Sequence, residues 1–382
     1  MKLMKIGLNG QNLLLENPAG PEKYTYNLFQ SLSLIDNRNE YTIYLSKKPG
    51  DLWFKELTSN NPNFSYVVVP KTLFWTQVNL ASELLKNPPD LFFTAIHTIP
   101  IIRNPKTKFV TMVHGLEYRY TAGYSNPIYR FKITRPIKYA VKYSDKIIVP
   151  SQATKSSLIR QGWNVDRNKT EVIYEGVDKS FTKKEQKDVN IVRTKYEIGH
   201  SPYFLFVSTI QPRKNIPNTI AAFSKLINED SDLKDTKFLL AGKFGWDFKD
   251  SLDSPKKYAI EKNVVFLGRI PDEDIPSLFS GAKGYVNLSL EEGFGLPLLE
   301  AMSCEVPCLV SDIPAFEEIG SGFPVFADPN NIESIKEGMK TLLSGKILAK
   351  HLEESRKYAQ SFTWGNTAKR TLTVFEDLIK NP

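Results

Sequence analysis

Residues 286–304 read VNLSLEEGFGLPLLEAMSC. An apolar strand pattern ends near Ser289, and a glycine-bearing turn follows. Pro297 then suits the first turn of a helix, where its missing N–H has no partner to lose. Gly293 and Gly295 let backbone approach a ligand closely. The free N–H groups of the new helix, with its dipole, make an anion site. Glu292 precedes the turn, and Glu300 lies eight residues further on, one turn into the helix. A carboxylate accepts two hydrogen bonds and so matches a vicinal diol on a sugar or ribose. Two carboxylates flanking an anion site suit a molecule with hydroxyls at both ends and phosphates between, and a nucleotide-sugar is such a molecule. Alone, the stretch also reads as a plain strand–turn–helix with two solvated glutamates; the ordered set Glu, GFG, Pro, Glu makes the ligand reading specific.

The rest of the chain repeats this strand-to-helix rhythm. KIGLNG, YTIYLS, SYVVVP, DLFFTA, KFVTMVHG and KIIVPS read as strands in the first half; FLFVSTI, KFLLAG, NVVFLG, GYVNLS and PCLVSD do so in the second. Between them lie helical faces such as Tyr24, Leu28, Leu32 and Ile35, or Ile220, Phe223 and Ile227. Strands alternating with helices predict parallel sheets covered on both sides. The lysine-rich stretch 179–200 breaks the rhythm. The expected division is an acceptor-binding domain over 1–180, rejoined by the last helix at about 364–382, and a donor-binding domain over 181–363. Two doubly wound domains in series place a cleft between the carboxyl ends of their strands.

Three further features point to the same chemistry. STIQPRKNIP (208–217) follows the first strand of the second half, so Arg213 and Lys214 sit at a strand's carboxyl end. An arginine fork and a lysine can stabilise a departing diphosphate, although a solvated basic turn would look the same. The loop after the first strand brings Gly20 to a helix start, where amides again face phosphate. His114 ends the run FVTMVH and is followed by glycine; it reads either as a reaction-centre hydrogen-bond donor or as a structural histidine. Asp272-Glu273-Asp274 has the DxD form of a metal site, but just before a helical pattern Asp272 reads as an N-cap.

Composition sets the limits. The chain has 382 residues, too many for one ordinary core, and a net charge of +8. Residues 1–180 hold 24 lysines and arginines against 14 acids, while residues 181–382 hold 26 against 28. A basic first half fits an anionic membrane surface or a phosphorylated acceptor, and no nucleic-acid-binding signature is present. The stretch 129–144 mixes five basic residues with four aromatics and reads either as an interfacial helix or as one packed on a sheet. The start MKLMKIGLNG reads as a buried strand rather than a leader, and no run approaches the ~18 apolar residues of a membrane span. With only Cys304 and Cys308, a disulfide framework is excluded; their spacing predicts two thiols on one helix face. The expected location is the cytoplasm, with peripheral contact at the membrane face.

Together these residues resemble the retaining glycosyltransferases called glycosyl transferases group 1, which have the GT-B fold of two Rossmann-like domains facing each other across a cleft. The likeness is strongest over 204–328, in PRKN, LLAGKFGW, VVFLGRIPDEDIPSLF, EGFGLPLLEAM and SDIPAFEEI, and Glu292 and Glu300 match the family's E-x7-E motif. The resemblance implies that Glu300 holds the donor ribose and Glu292 the hydroxyls of the transferred sugar. It implies that the amides of Gly293, Phe294, Gly295 and Leu296 line the sugar pocket, and that Arg213 and Lys214 grip the diphosphate. Gly20 would touch phosphate, His114 would face the anomeric carbon, and Arg269 and Ile270 would read the base. The sequence departs from the family at Cys304-Glu305-Val306-Pro307, where glycine is common after the cysteine.

The resemblance thus implies a metal-independent, cofactor-free retaining hexosyltransferase. It would use a GDP-, UDP- or dTDP-sugar, with mannose the first guess, and a glycan or lipid-linked glycan acceptor of surface polysaccharide synthesis. An epimerase or phosphorylase of the same fold, or a non-catalytic nucleotide-sugar-binding protein, are the competing readings.

Overall fold

The computed structural model describes residues 3–15 and 20–380. Its contacts divide the chain into two units: residues 1–116, 125–176 and 363–382 form the first, and 117–124 with 177–362 the second. The segment 117–124, part of the first half in sequence, thus belongs to the second unit.

The first unit is built on β1 (Lys5–Asn9), β2 (Glu40–Leu45), β3 (Phe64–Val68), β4 (Leu91–Thr94), β5 (Lys108–Met112), β6 (Lys146–Val149) and β7 (Thr170–Val172), in the order β3-β2-β1-β4-β5-β6-β7. All neighbours run parallel. A parallel sheet buries both faces, which is why β4 (LFFT) is buried along its whole length and apolar from Leu91 to Phe93. Successive side chains alternate sides: Leu91 and Phe93 enter one core with Ile6, Leu8 and Met112, and Phe92 enters another with Tyr44 and Phe109. The helix Gly20–Ile35 buries Tyr24, Leu28 and Leu32. The last helix, Trp364–Lys380, joins this core through Trp364, Ala368 and Phe375, and Thr367 Oγ1 donates to the Tyr174 carbonyl at 2.8 Å.

The second unit holds β8 (Tyr203–Val207), β9 (Lys237–Ala241), β10 (Val264–Gly268), β11 (Gly284–Asn287), β12 (Cys308–Ser311) and β13 (Val325–Ala327), ordered β10-β9-β8-β11-β12-β13 and again parallel throughout. In β8, Tyr203 and Leu205 point into one core, and Phe204 and Phe206 into the other. Each such fully buried large side chain contributes roughly 1.5–3 kcal/mol. In both units the winding reverses beside the first strand, between β1 and β4 and between β8 and β11. Those are the topological switch points, where loops after adjacent strands diverge and ligands bind.

Two expectations need correction. Cys304 and Cys308 do not share a helix face. The helix Leu296–Ser303 stops before Cys304, Glu305 turns left-handed at φ 57°, and Pro307 blocks continuation, so Cys308 opens β12. Asp272 is not the N-cap of the following helix, which begins at Ile275 behind Asp274. The Asp274 carboxylate is instead taken by Lys195 Nζ, at 2.6 Å, and by the Tyr196 hydroxyl.

Candidate functional site

The loops after β8 and β11 flank the switch point of the second unit. After β8 the chain forms a short turn, Pro212–Lys214, ahead of the helix Ile216–Glu229. After β11 it passes through Ser289 to Gly295 and enters the helix Leu296–Ser303. The two loops are laced by backbone: Leu290 N donates to the Arg213 carbonyl at 2.8 Å, and an Arg213 terminal nitrogen donates to the Glu291 carbonyl at 2.9 Å.

Glu292 lies at the centre. Arg213 reaches one carboxylate oxygen at 2.7 Å, and Lys214 reaches the other at 2.5 Å. The Ser289 hydroxyl also lies 2.8 Å from that second oxygen. The Lys214 and Glu292 side chains are only 4% and 8% exposed, so the trio sits in a poorly hydrated place. Burial pushes the Glu292 carboxyl up, but the charges of Arg213 and Lys214, with their hydrogen bonds, outweigh it and hold it at about 2. The two cations meet at a single carboxylate, so Arg213 and Lys214 are held side by side where an anionic ligand would be gripped.

The GFG turn fixes the next element. Phe294 is buried and stacks edge-on to Phe362 at 6.2 Å, anchoring the loop. Gly295 caps the helix at φ 96°, and a Cβ there would lie 2.7 Å from the Phe316 ring. Glycine is therefore demanded by both backbone and space. Leu296 and Pro297 open the helix, whose first amides point toward the turn. Glu300, on its second turn, is 6% exposed. Arg269 and Ile270 follow β10 on the same carboxyl edge, two strands from β8, with Ile270 buried.

Gly20 and His114 belong to the first unit. Gly20 is the first residue of the helix Gly20–Ile35 and is exposed; residues 16–19 of its loop lie outside the described residues. His114 follows β5. Its Nε2 lies 2.9 Å from the Ala95 carbonyl oxygen, its Nδ1 3.6 Å from a Glu175 oxygen, and Tyr24 packs edge-on at 4.9 Å. The ring is thus held from three sides. The structure brings Arg213, Lys214 and Glu292 into direct contact and sets Gly293–Leu296 and Glu300 on the same loop and helix.

Sequence reasoning missed Glu175, Ser289 and Tyr120. Glu175 lies in VIYEGVD (172–178), a stretch with no local pattern linking it to His114. Ser289 was read only as a strand end. Tyr120 lies in 117–124, and burial together with Glu291 raises its hydroxyl pKa.

Residues 188–361 match the family model described as "Glycosyl transferases group 1", and residues 18–181 match "Glycosyltransferase Family 4". The O-antigen chain mannosyltransferase B of Escherichia coli is 31% identical over 48% of this chain and 48% of its own length. The O-antigen chain mannosyltransferase RfbU of Salmonella typhimurium is 30% identical over 66% of this chain and 64% of its own. The matches thus span about half to two thirds of these relatives. The structure of Anabaena Alr3699/HepE in complex with UDP-glucose superposes with a TM-score of 0.75 at 17% identity, covering 98% of this chain and all of the other, which establishes a shared fold. Residues 188–361 thus belong to the glycosyl transferases group 1 family, with a glycosyltransferase family 4 region before them at 18–181.

Proposed function

We propose that this protein is a retaining hexosyltransferase that needs no metal and takes its sugar, mannose first, from a nucleoside-diphosphate donor. The observation that carries the reading is the buried Arg213–Glu292–Lys214 cluster at the switch point of the second unit. The names of the Escherichia coli and Salmonella typhimurium relatives support mannose and surface polysaccharide.

In this reading the second unit binds the donor. Glu300 accepts from the ribose hydroxyls, the Gly293–Leu296 amides and Glu292 hold the transferred sugar, and Arg269 with Ile270 meets the base. Arg213 and Lys214 face the diphosphate, with Glu292 keeping both cations oriented before donor arrives. Such preorganised charge needs no rearrangement as the leaving group forms. The acceptor hydroxyl, on a glycan or lipid-linked glycan held by the basic first unit, attacks the anomeric carbon from the face the diphosphate leaves. The new C–O bond forms as the old one breaks, and the acceptor proton passes to the departing phosphate. Gly20 contributes an amide to phosphate, and His114 is held toward the anomeric carbon.

The test is a thermal-shift panel of nucleoside diphosphates and their sugars, followed by transfer assays. A ligand at 100 times its Kd stabilises by about 2.7 kcal/mol. The guanosine compounds are expected to shift the wild type, and the R213A/K214A variant is expected to lose both the shift and turnover. Normal turnover by that variant would sink the assignment.

A further inference from the structure

The first unit displays apolar side chains that its core does not use. Leu73, Phe74, Val78, Ile101 and Ile102 are each more than half exposed. They come from two segments that hydrogen bonds tie together: Gln77 Nε2 donates to the Ile99 carbonyl at 3.0 Å, and Ile101 N donates to Gln77 Oε1 at 2.9 Å. Both segments are pinned from beneath. Trp75 is buried with Ile99 and donates its indole N–H to the Val69 carbonyl at 2.8 Å. Phe74 is held outward at φ 61°, a conformation costly for an aromatic residue. The ridge is therefore a fixed display rather than a frayed loop, and monomeric soluble proteins rarely expose such contiguous apolar surface.

The segments that carry the ridge and its neighbouring helix hold charge of one sign. Arg103 runs from the ridge to the helix Pro127–Tyr143, donating to the Tyr139 hydroxyl at 3.1 Å and the Tyr143 carbonyl at 3.2 Å. That helix buries Thr134, Ile137, Ala140 and Val141, while Ile128 and Phe131 on its first turns are exposed beside exposed Lys132 and Arg135. Segments 69–80, 99–107 and 126–143 together hold eight basic residues and no acidic one.

We infer that this ridge and helix dock the protein on an anionic lipid bilayer. Such apolar tips enter the boundary between headgroups and acyl chains, while the flanking lysines and arginines stay at the phosphate level. A second copy of the chain fits less well, because a two-fold contact would set two positive surfaces together. The docking does not depend on donor chemistry and is read without donor.

The full chain is sedimented with vesicles of phosphatidylcholine alone and of phosphatidylcholine with phosphatidylglycerol. Binding is expected only to the anionic vesicles. The F74N/I102S variant, with asparagine suited to the left-handed position, is expected to lose about tenfold or more in partitioning. The K132E/R135E variant is expected to lose a similar factor. Both should keep the wild-type melting temperature. Wild type that stays in the supernatant, or F74N/I102S that still sediments fully, overturns the proposal. So does a concentration-dependent dimer in size-exclusion chromatography that F74N/I102S abolishes, since that makes the ridge a protein interface.

Discussion

Lys214 Nζ lies 2.5 Å from a carboxylate oxygen of Glu292, with both side chains almost wholly withdrawn from water. Removing one partner of such a pair strands the other, which typically costs about 3–5 kcal/mol. Here a second cation, Arg213, shares the carboxylate, so the loss of Glu292 removes an ion-pair partner from two cations at once.

Stability should therefore depend on pH through Glu292. Its ordinary carboxyl value of 4.5 falls to about 2 in the folded state. A lowered folded pKa stabilises the fold above the unfolded value, and the contribution fades as pH falls through the folded one. That difference amounts to roughly 3 kcal/mol at neutral pH. In urea titrations E292Q should unfold earlier than wild type at pH 7. The gap should shrink as pH drops below about 4.5. A gap of constant size down to pH 3 contradicts the pairing.

Gly295 carries two demands, and substitution can separate them. At φ 96° an added Cβ also meets the Phe316 ring, whereas at Gly322, φ 80°, it meets nothing within 4 Å. G322A should cost about 1–2 kcal/mol from backbone alone. G295A should cost about 1–3 kcal/mol more, because the ring must move. Thermal unfolding of the two variants checks this; equal losses would mean that the ring gives way freely.

The same contrast shows what was legible. Eleven strands could be read because apolar runs in a parallel sheet are continuous, and the GFG turn because glycine and proline punctuate backbone. The two missed strands, β7 (TEV) and β13 (VFA), are three-residue pieces at the outer edges of their sheets, where half the pattern is polar or half-buried. Arg213, Lys214 and Glu292 could each be singled out from their own loops. Their mutual contact could not, because it depends on β8 and β11 being neighbours despite two intervening strands. Glu305 shows a subtler case. Where the family pattern has glycine, this residue keeps the left-handed turn at φ 57° and meets Lys183 at 3.0 Å and Arg356 at 2.8 Å. A non-glycine residue thus occupies a backbone conformation that glycine adopts without strain.

Cys304 and Cys308 should be inert in the native state. Both are buried, and burial raises both thiols, so little nucleophilic thiolate forms. A thiol-reactive chromophore should label neither in buffer and both in urea. Rapid labelling of the folded protein would show that the end of the helix Leu296–Ser303 opens.

His114 and Glu175 make the last test, because they separate orientation from simple presence. Glu175 is 7% exposed and faces Nδ1 of the ring at 3.6 Å, while the Ala95 carbonyl takes Nε2 and Tyr24 backs the face. If Glu175 acts by aiming His114, its loss matters only while the imidazole is present. E175Q should lower kcat about tenfold with the donor KM unchanged, and H114A should lower it further. The double variant should then be no slower than H114A, a non-additivity expected of residues in direct contact. Additive losses would give Glu175 an independent role. An unchanged kcat in both single variants would leave the pair as part of the core beneath β5.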